Sequence, residues 1–87
     1  MKIKEGFVLR NICGDYVVIA VGKQTLDFQG IIKLNETGAF LWEKLQQDCT
    51  AEELLAAMQA EYAVDEATAR EDIRAFIDSL QAAELFA

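Results

Sequence analysis

The period of the apolar pattern changes at Asn35. Before it, "IIKL" alternates, with Ile32 and Leu34 on one face and Ile31 and Lys33 on the other, as a strand does. After it, Gly38, Leu41, Trp42 and Leu45 follow the i, i+3, i+4, i+7 stripe of a helix. No loop separates the two. Asn35 can serve both elements, ending the strand and offering its side-chain oxygen to an orphan amide of the helix's first turn. Gly38 inside that turn costs about 1 kcal/mol of helix propensity relative to Ala. Its presence predicts a close approach between this turn and another backbone, that of the sheet or of the last helix.

Both sides of this junction extend the same way. Upstream, "FVLRNI" and "YVVIAV" are rich in β-branched and aromatic residues and flank "CGD", which predicts a hairpin. Between the hairpin and "IIKL" lies "GKQTLDFQG", in which Leu26 and Phe28 alternate with Thr25 and Asp27. Downstream, Thr50 and Glu53 make a T-x-x-E capping box ahead of a helix with Leu54, Leu55, Met58 and Tyr62 on one face. Asp65 is the expected cap of a last helix striped by Ala69, Ile73, Phe76, Ile77 and Leu80. The order is three strands, then three helices. The simplest arrangement that buries all the stripes is an α+β fold, a three-helix cluster on a small antiparallel sheet. The short "QDC" connection between the first two helices makes it winged helix-turn-helix-like, with the wing strands first. Residues 1–87 read as one domain, without repeats or a linker.

Composition narrows the chemistry. A hydrophobic content of 53% predicts a packed core rather than disorder. The longest apolar run, "YVVIAV", is too short to span a bilayer, and "MKIKEGFVLR" is not a signal peptide, so a cytoplasmic, membrane-free protein is expected. There is no His, and Cys13 and Cys49 lie far apart, which disfavours a zinc site and removes the commonest general base. Glu52 and Glu53 are explained by the macrodipole of a first helical turn. No phosphate-binding loop is present. The chain is therefore not expected to be an enzyme, nor to need a cofactor.

Charge is divided unevenly. Residues 1–34 carry five Lys/Arg against three Asp/Glu, net +2; residues 35–87 carry three against twelve, net −9. A helix-turn-helix raises nucleic acid as a partner, but binding to phosphates draws on Lys and Arg. The second helix has neither, and the last offers Arg70 and Arg74 against Glu66, Glu71, Asp72 and Asp78. Protein or peptide remains. A three-stranded sheet in so short a chain exposes edges, and an exposed edge can accept an extended peptide, be covered, or pair in a homodimer. Domain swapping of the apolar hairpin is a further route to a dimer.

The ordered set Leu34-Asn35 with Glu36-Thr37-Gly38, the spacing to Trp42 and Leu45, Thr50 with Glu53-Leu54, Tyr62, and Asp72-Ile73 with Phe76, Leu80 and Leu85 resembles the PqqD-like family over nearly all of the chain. That resemblance implies a β-β-β-α-α-α fold and a non-catalytic role. Members recognise the leader segment of a ribosomally made precursor peptide, which adds as a strand to the third β-strand beside the third helix. They present it to a modifying enzyme, often a radical S-adenosylmethionine maturase. Carried onto this chain, the resemblance implies peptide contacts at Gly30, Ile31, Ile32, Lys33 and Leu34, and at Asp72, Phe76 and Ser79 of the last helix. The alternative is a structural or dimerising interaction domain without a peptide ligand.

Overall fold

The computed structural model describes residues 1–26 and 31–87. Its first two strands, β1 (Phe7–Ile12) and β2 (Asp15–Ala20), pair antiparallel with Ile12 opposite Asp15. The two residues between them, Cys13 and Gly14, both have positive φ, 52° and 86°. That is the left-handed pair a two-residue type I′ turn requires, and it matches the twist of the strands it joins. The Asn11 side chain steadies the turn by accepting from the Gly14 N–H at 3.1 Å.

After β2 the chain turns at Gly22 (φ 62°) into a short 3-10 helix, Gly22–Leu26, in which Thr25 Oγ1 donates to the Gly22 carbonyl at 2.7 Å. A hydroxyl reaching a carbonyl three residues back favours such a turn over an extended chain, so the alternation in "GKQTLDFQG" does not make a strand of residues 22–26. Phe28 and Gly30 lie outside the described residues. Strand β3 (Ile31–Leu34) then pairs antiparallel with β2, giving the order β1-β2-β3 with β3 at an edge.

Three helices follow: α1 (Glu36–Lys44), α2 (Ala51–Glu61) and α3 (Glu66–Ala82). The three strands followed by three helices are the α+β arrangement expected; winged helix-turn-helix-like describes it only loosely. Asn35 caps α1 as read from the sequence, its Oδ1 accepting from the Gly38 N–H at 2.7 Å and from Thr37 Oγ1 at 3.1 Å. The capping box of α2 is complete, with Thr50 and Glu53 exchanging bonds at 3.1 Å each. Asp65 occupies the N-cap position of α3, but its side chain makes no cap bond. The start of α3 is tied instead to α2: Arg70 meets Glu52 through two bonds, 2.9 and 3.3 Å, and lies 3.6 Å from Glu66. The bond from Arg70 holds the Glu52 carboxyl below its usual range.

The predicted stripes meet in one core. Val18 from the sheet, Leu41, Trp42 and Leu45 from α1 and its end, Leu54 and Met58 from α2, and Leu80 with Leu85 from the C-terminal end are the largest fully buried side chains. Two stripe members sit differently from expectation. Tyr62 is the C-cap of α2, half-buried, with its ring edge-on to Phe40 at 5.4 Å. Ile77 is half-buried beside the core. Ile3, which belongs to none of the predicted elements, is 4% exposed and bridges to Phe86. Around it Ile3 N–H bonds the Leu45 carbonyl, Lys4 N–H the Leu85 carbonyl and Ala87 N–H the Lys2 carbonyl, so both ends of the chain close over the core.

The end of α3 carries local strain. Leu85 N–H bonds the Leu80 carbonyl and Glu84 N–H the Gln81 carbonyl, both at 3.0 Å, with Leu80 and Leu85 buried together in the core. That is a Schellman closure. Its left-handed residue is Glu84, with φ 58°, where glycine is the unstrained choice. Glu84→Gly should therefore stabilise the chain by about 0.5–1 kcal/mol, read as a higher urea midpoint. An unchanged or lower midpoint would show that the Glu84 side chain compensates its backbone.

Candidate functional site

The register decides what the β3 edge presents. A two-residue turn makes its flanking pair, Ile12 and Asp15, a hydrogen-bonded one, and such pairs alternate along an antiparallel ladder. Asp15, Val17 and Ile19 therefore aim their main-chain groups at β1; the bond from Val21 N–H to the Gly6 carbonyl, 2.7 Å, continues this parity. Tyr16 and Val18 aim theirs the other way, at Leu34 and Ile32, their partners on β3. So Ile32 and Leu34 spend their N–H and C=O groups on the ladder. Ile31 and Lys33 point theirs outward, on an edge that no further strand of the described residues covers.

Beside this edge lies a cleft of about 380 Å³, walled by the end of β3, the first turn of α1 and one face of α3. Lys33 and Leu34 come from the strand; Asn35, Thr37, Gly38 and Leu41 from the strand–helix junction; Asp72, Ala75, Phe76 and Ser79 from α3. The α3 residues are one, three or four positions apart and so share a face. Leu41 (1% exposed) and Phe76 (9%) make an apolar floor, and the polar members stand at the rim. Ser79 Oγ donates to the Phe76 carbonyl at 2.8 Å, which leaves its oxygen lone pairs for a ligand.

The structure thus brings Lys33 and Leu34 together with Asp72, Phe76 and Ser79 around one space. Ile32 is not part of the lining; its side chain packs half-buried against the core. Ile31 points to the other face of the sheet, 57% exposed. Gly30 is not among the described residues. Asn35, Thr37, Gly38, Leu41 and Ala75 were not read as site residues. Ala75 was legible in principle, since it lies three positions from Asp72 and four from Ser79. The junction residues were not, because the sequence does not show which way the first turn of α1 faces.

Gly38 also lines the cleft, and its surroundings differ from expectation. A Cβ there would stand 3.0 Å from Asn35 Oδ1, 3.4 Å from Leu34 Cβ and 3.5 Å from Phe76 Cε1. The neighbours are side chains, not another backbone: the cap and the two apolar groups that floor the cleft need that room. Gly38→Leu should force them apart and cost about 1–3 kcal/mol, measured by urea unfolding. A variant with unchanged melting would show slack in this corner.

Burial, and next the carboxylate of Glu53, push the Cys49 thiol above its usual range, the opposite direction from an activated nucleophile. No group of three metal-ligating side chains occurs among the described residues, and no helix there is long and apolar enough to cross a membrane.

No curated protein matches the chain. Among solved structures, "TbiB1 in Complex with the TbiA(beta) Leader Peptide" superposes with a TM-score of 0.75 at 29% identity, covering 98% of this chain and 93% of that one. "Lasso peptide synthetase B1 complexed with the leader peptide" superposes with a TM-score of 0.73 at 19% identity, covering 97% and 93%, a likeness of fold. The family model for coenzyme PQQ synthesis protein D (PqqD) matches residues 16–85, from the second strand through Leu85, and the chain belongs to that family.

Proposed function

We propose that this chain is a non-catalytic binding domain for the leader segment of a ribosomally made precursor peptide, which it takes up as a fourth strand on β3 and holds for a peptide-modifying enzyme. The observation that carries this is the juxtaposition at one edge. The outward main-chain groups of Ile31 and Lys33 lie directly beside an apolar-floored cleft against α3. An added strand draws affinity from such an edge and specificity from the pockets under its alternate side chains. The two similar solved structures were both determined with a leader peptide bound, which supports the same role here.

The test is a titration of the isotopically labelled chain with synthetic leader segments of any short precursor peptides encoded near it. The expected result is saturable movement of the amide signals of Ile31 to Leu34 and of Asp72 to Ser79, with the Trp42 indole signal little changed. Binding that moves none of the β3 amides would place the ligand elsewhere. Absence of binding by any such segment, with tight salt-sensitive binding of duplex DNA instead, would replace the reading by that of a regulator.

A further inference from the structure

We infer that the cleft selects its peptide by charge as well as by strand shape, taking a segment in which an acidic and a basic residue are adjacent. This rests on the peptide reading above and adds to it. In an antiparallel or parallel added strand, side chains alternate between the two faces of the sheet. The peptide residue opposite Lys33 shares the outer face with the Lys33 side chain, and directly opposed side chains lie within about 5.5 Å at Cβ. The next peptide residue, opposite Leu34, faces inward, over the Leu41 and Phe76 floor, with Asp72 on the α3 wall.

Both charges await a partner. Lys33 is opposite Val17 on β2 and two residues from Ile31 on its own strand; Asp15 lies diagonally from it on the same face. It makes no ion pair among the described residues. Asp72 likewise makes none there, and the positions that would supply one on α3, three and four residues away, are Thr68, Ala69, Ala75 and Phe76. An acid on the outward peptide residue meets Lys33. A Lys or Arg on the inward residue lays its aliphatic stem on the apolar floor and reaches Asp72 with its charged end. The two positions are consecutive in the peptide, and the strand's direction sets which comes first. A segment with like charges at these positions sets one of them against Lys33 or Asp72 of its own sign, which disfavours it.

The experiment is selection of a random peptide library displayed on phage against three forms of the full chain: unmodified, Lys33→Glu and Asp72→Lys, each first shown to be folded by circular dichroism. The unmodified chain should enrich strand-forming peptides with an adjacent acid–base pair. Lys33→Glu should replace the acid by a base, and Asp72→Lys should replace the base by an acid. In titrations with the best peptide, neutralising either of its charges should weaken binding about two- to fivefold at low salt, and molar salt should erase that difference. If all three forms enrich strand-like peptides with the same charges, or with no charge preference, the selectivity is wrong and strand uptake stands. If the unmodified chain enriches nothing, strand uptake fails and the selectivity with it.

Discussion

Trp42→Ala is expected to unfold much of the population, not merely to weaken ligand binding. The indole is 2% exposed and belongs to the cluster that joins Val18 of the sheet to Leu54 and Met58 of α2. Truncating a buried aromatic of this size costs about 3–5 kcal/mol. At about 0.05–0.15 kcal/mol per residue, a chain of 87 residues holds only a few such units of stability in total. The cleft lining does not include Trp42, although its neighbour Leu41 is part of the floor. Urea unfolding followed by circular dichroism should show the loss directly, and Trp42→Phe, which keeps most of the buried surface, should recover a large part of it. A Trp42→Ala chain that melts normally but no longer takes up peptide would move this residue from the core into the site.

What the sequence made legible divides along a physical line. Local, through-backbone features were readable: Asn35 and the Thr50–Glu53 box act on amides three residues away, and both caps form as read. Helical stripes were readable because the core has one side. Two failures needed information from elsewhere in the chain, and one is local. Asp65 stands in the right position, yet its helix is anchored by Arg70 reaching across to Glu52, eighteen residues away in sequence. Ile3 enters the core only because Leu45 and Leu85 supply carbonyls to its strand-like segment. Thr25 folds back on Gly22, a three-residue contact that outweighs an alternating pattern.

The candidate site shows the same division. "IIKL" and the Asp72, Phe76 and Ser79 face of α3 were named from a resemblance, and the structure sets Lys33 and Leu34 of the first and all three residues of the second around one cleft. Two properties were not legible. One is the depth at Gly38, which depends on Phe76 arriving from the far end of the chain. The other is the direction of the edge amides. That direction follows from the turn at Cys13 and Gly14, since the parity of the hairpin passes through β2 to β3. Cys at a positive φ is not a residue that announces a type I′ turn, so the parity could not be counted from the sequence.

That parity makes a pair of proline substitutions decisive. Ile32→Pro removes an N–H that serves the ladder to Val18 and puts a ring against the neighbouring strand. The Val18 carbonyl is left without its donor; an unsatisfied group of this kind costs about 1–3 kcal/mol before any clash is counted, so this variant should be unstable or unfolded. Lys33→Pro removes an N–H that faces outward from the edge, where proline is tolerated. It should keep its circular dichroism spectrum and melt close to the unmodified chain. It should nevertheless bind peptide at least about tenfold more weakly. It lacks one main-chain donor, worth about 0.5–1.5 kcal/mol, and its ring occupies the space into which the added strand must come. Lys33→Ala separates the two roles of the residue: the amide remains, only the charge and stem are lost, and the loss should stay within the few-fold range of a cross-strand pair. Isothermal titration of the three variants with one peptide gives the order directly. Equal affinity of Lys33→Pro and the unmodified chain would mean that no strand is added at this edge, whatever else the cleft holds.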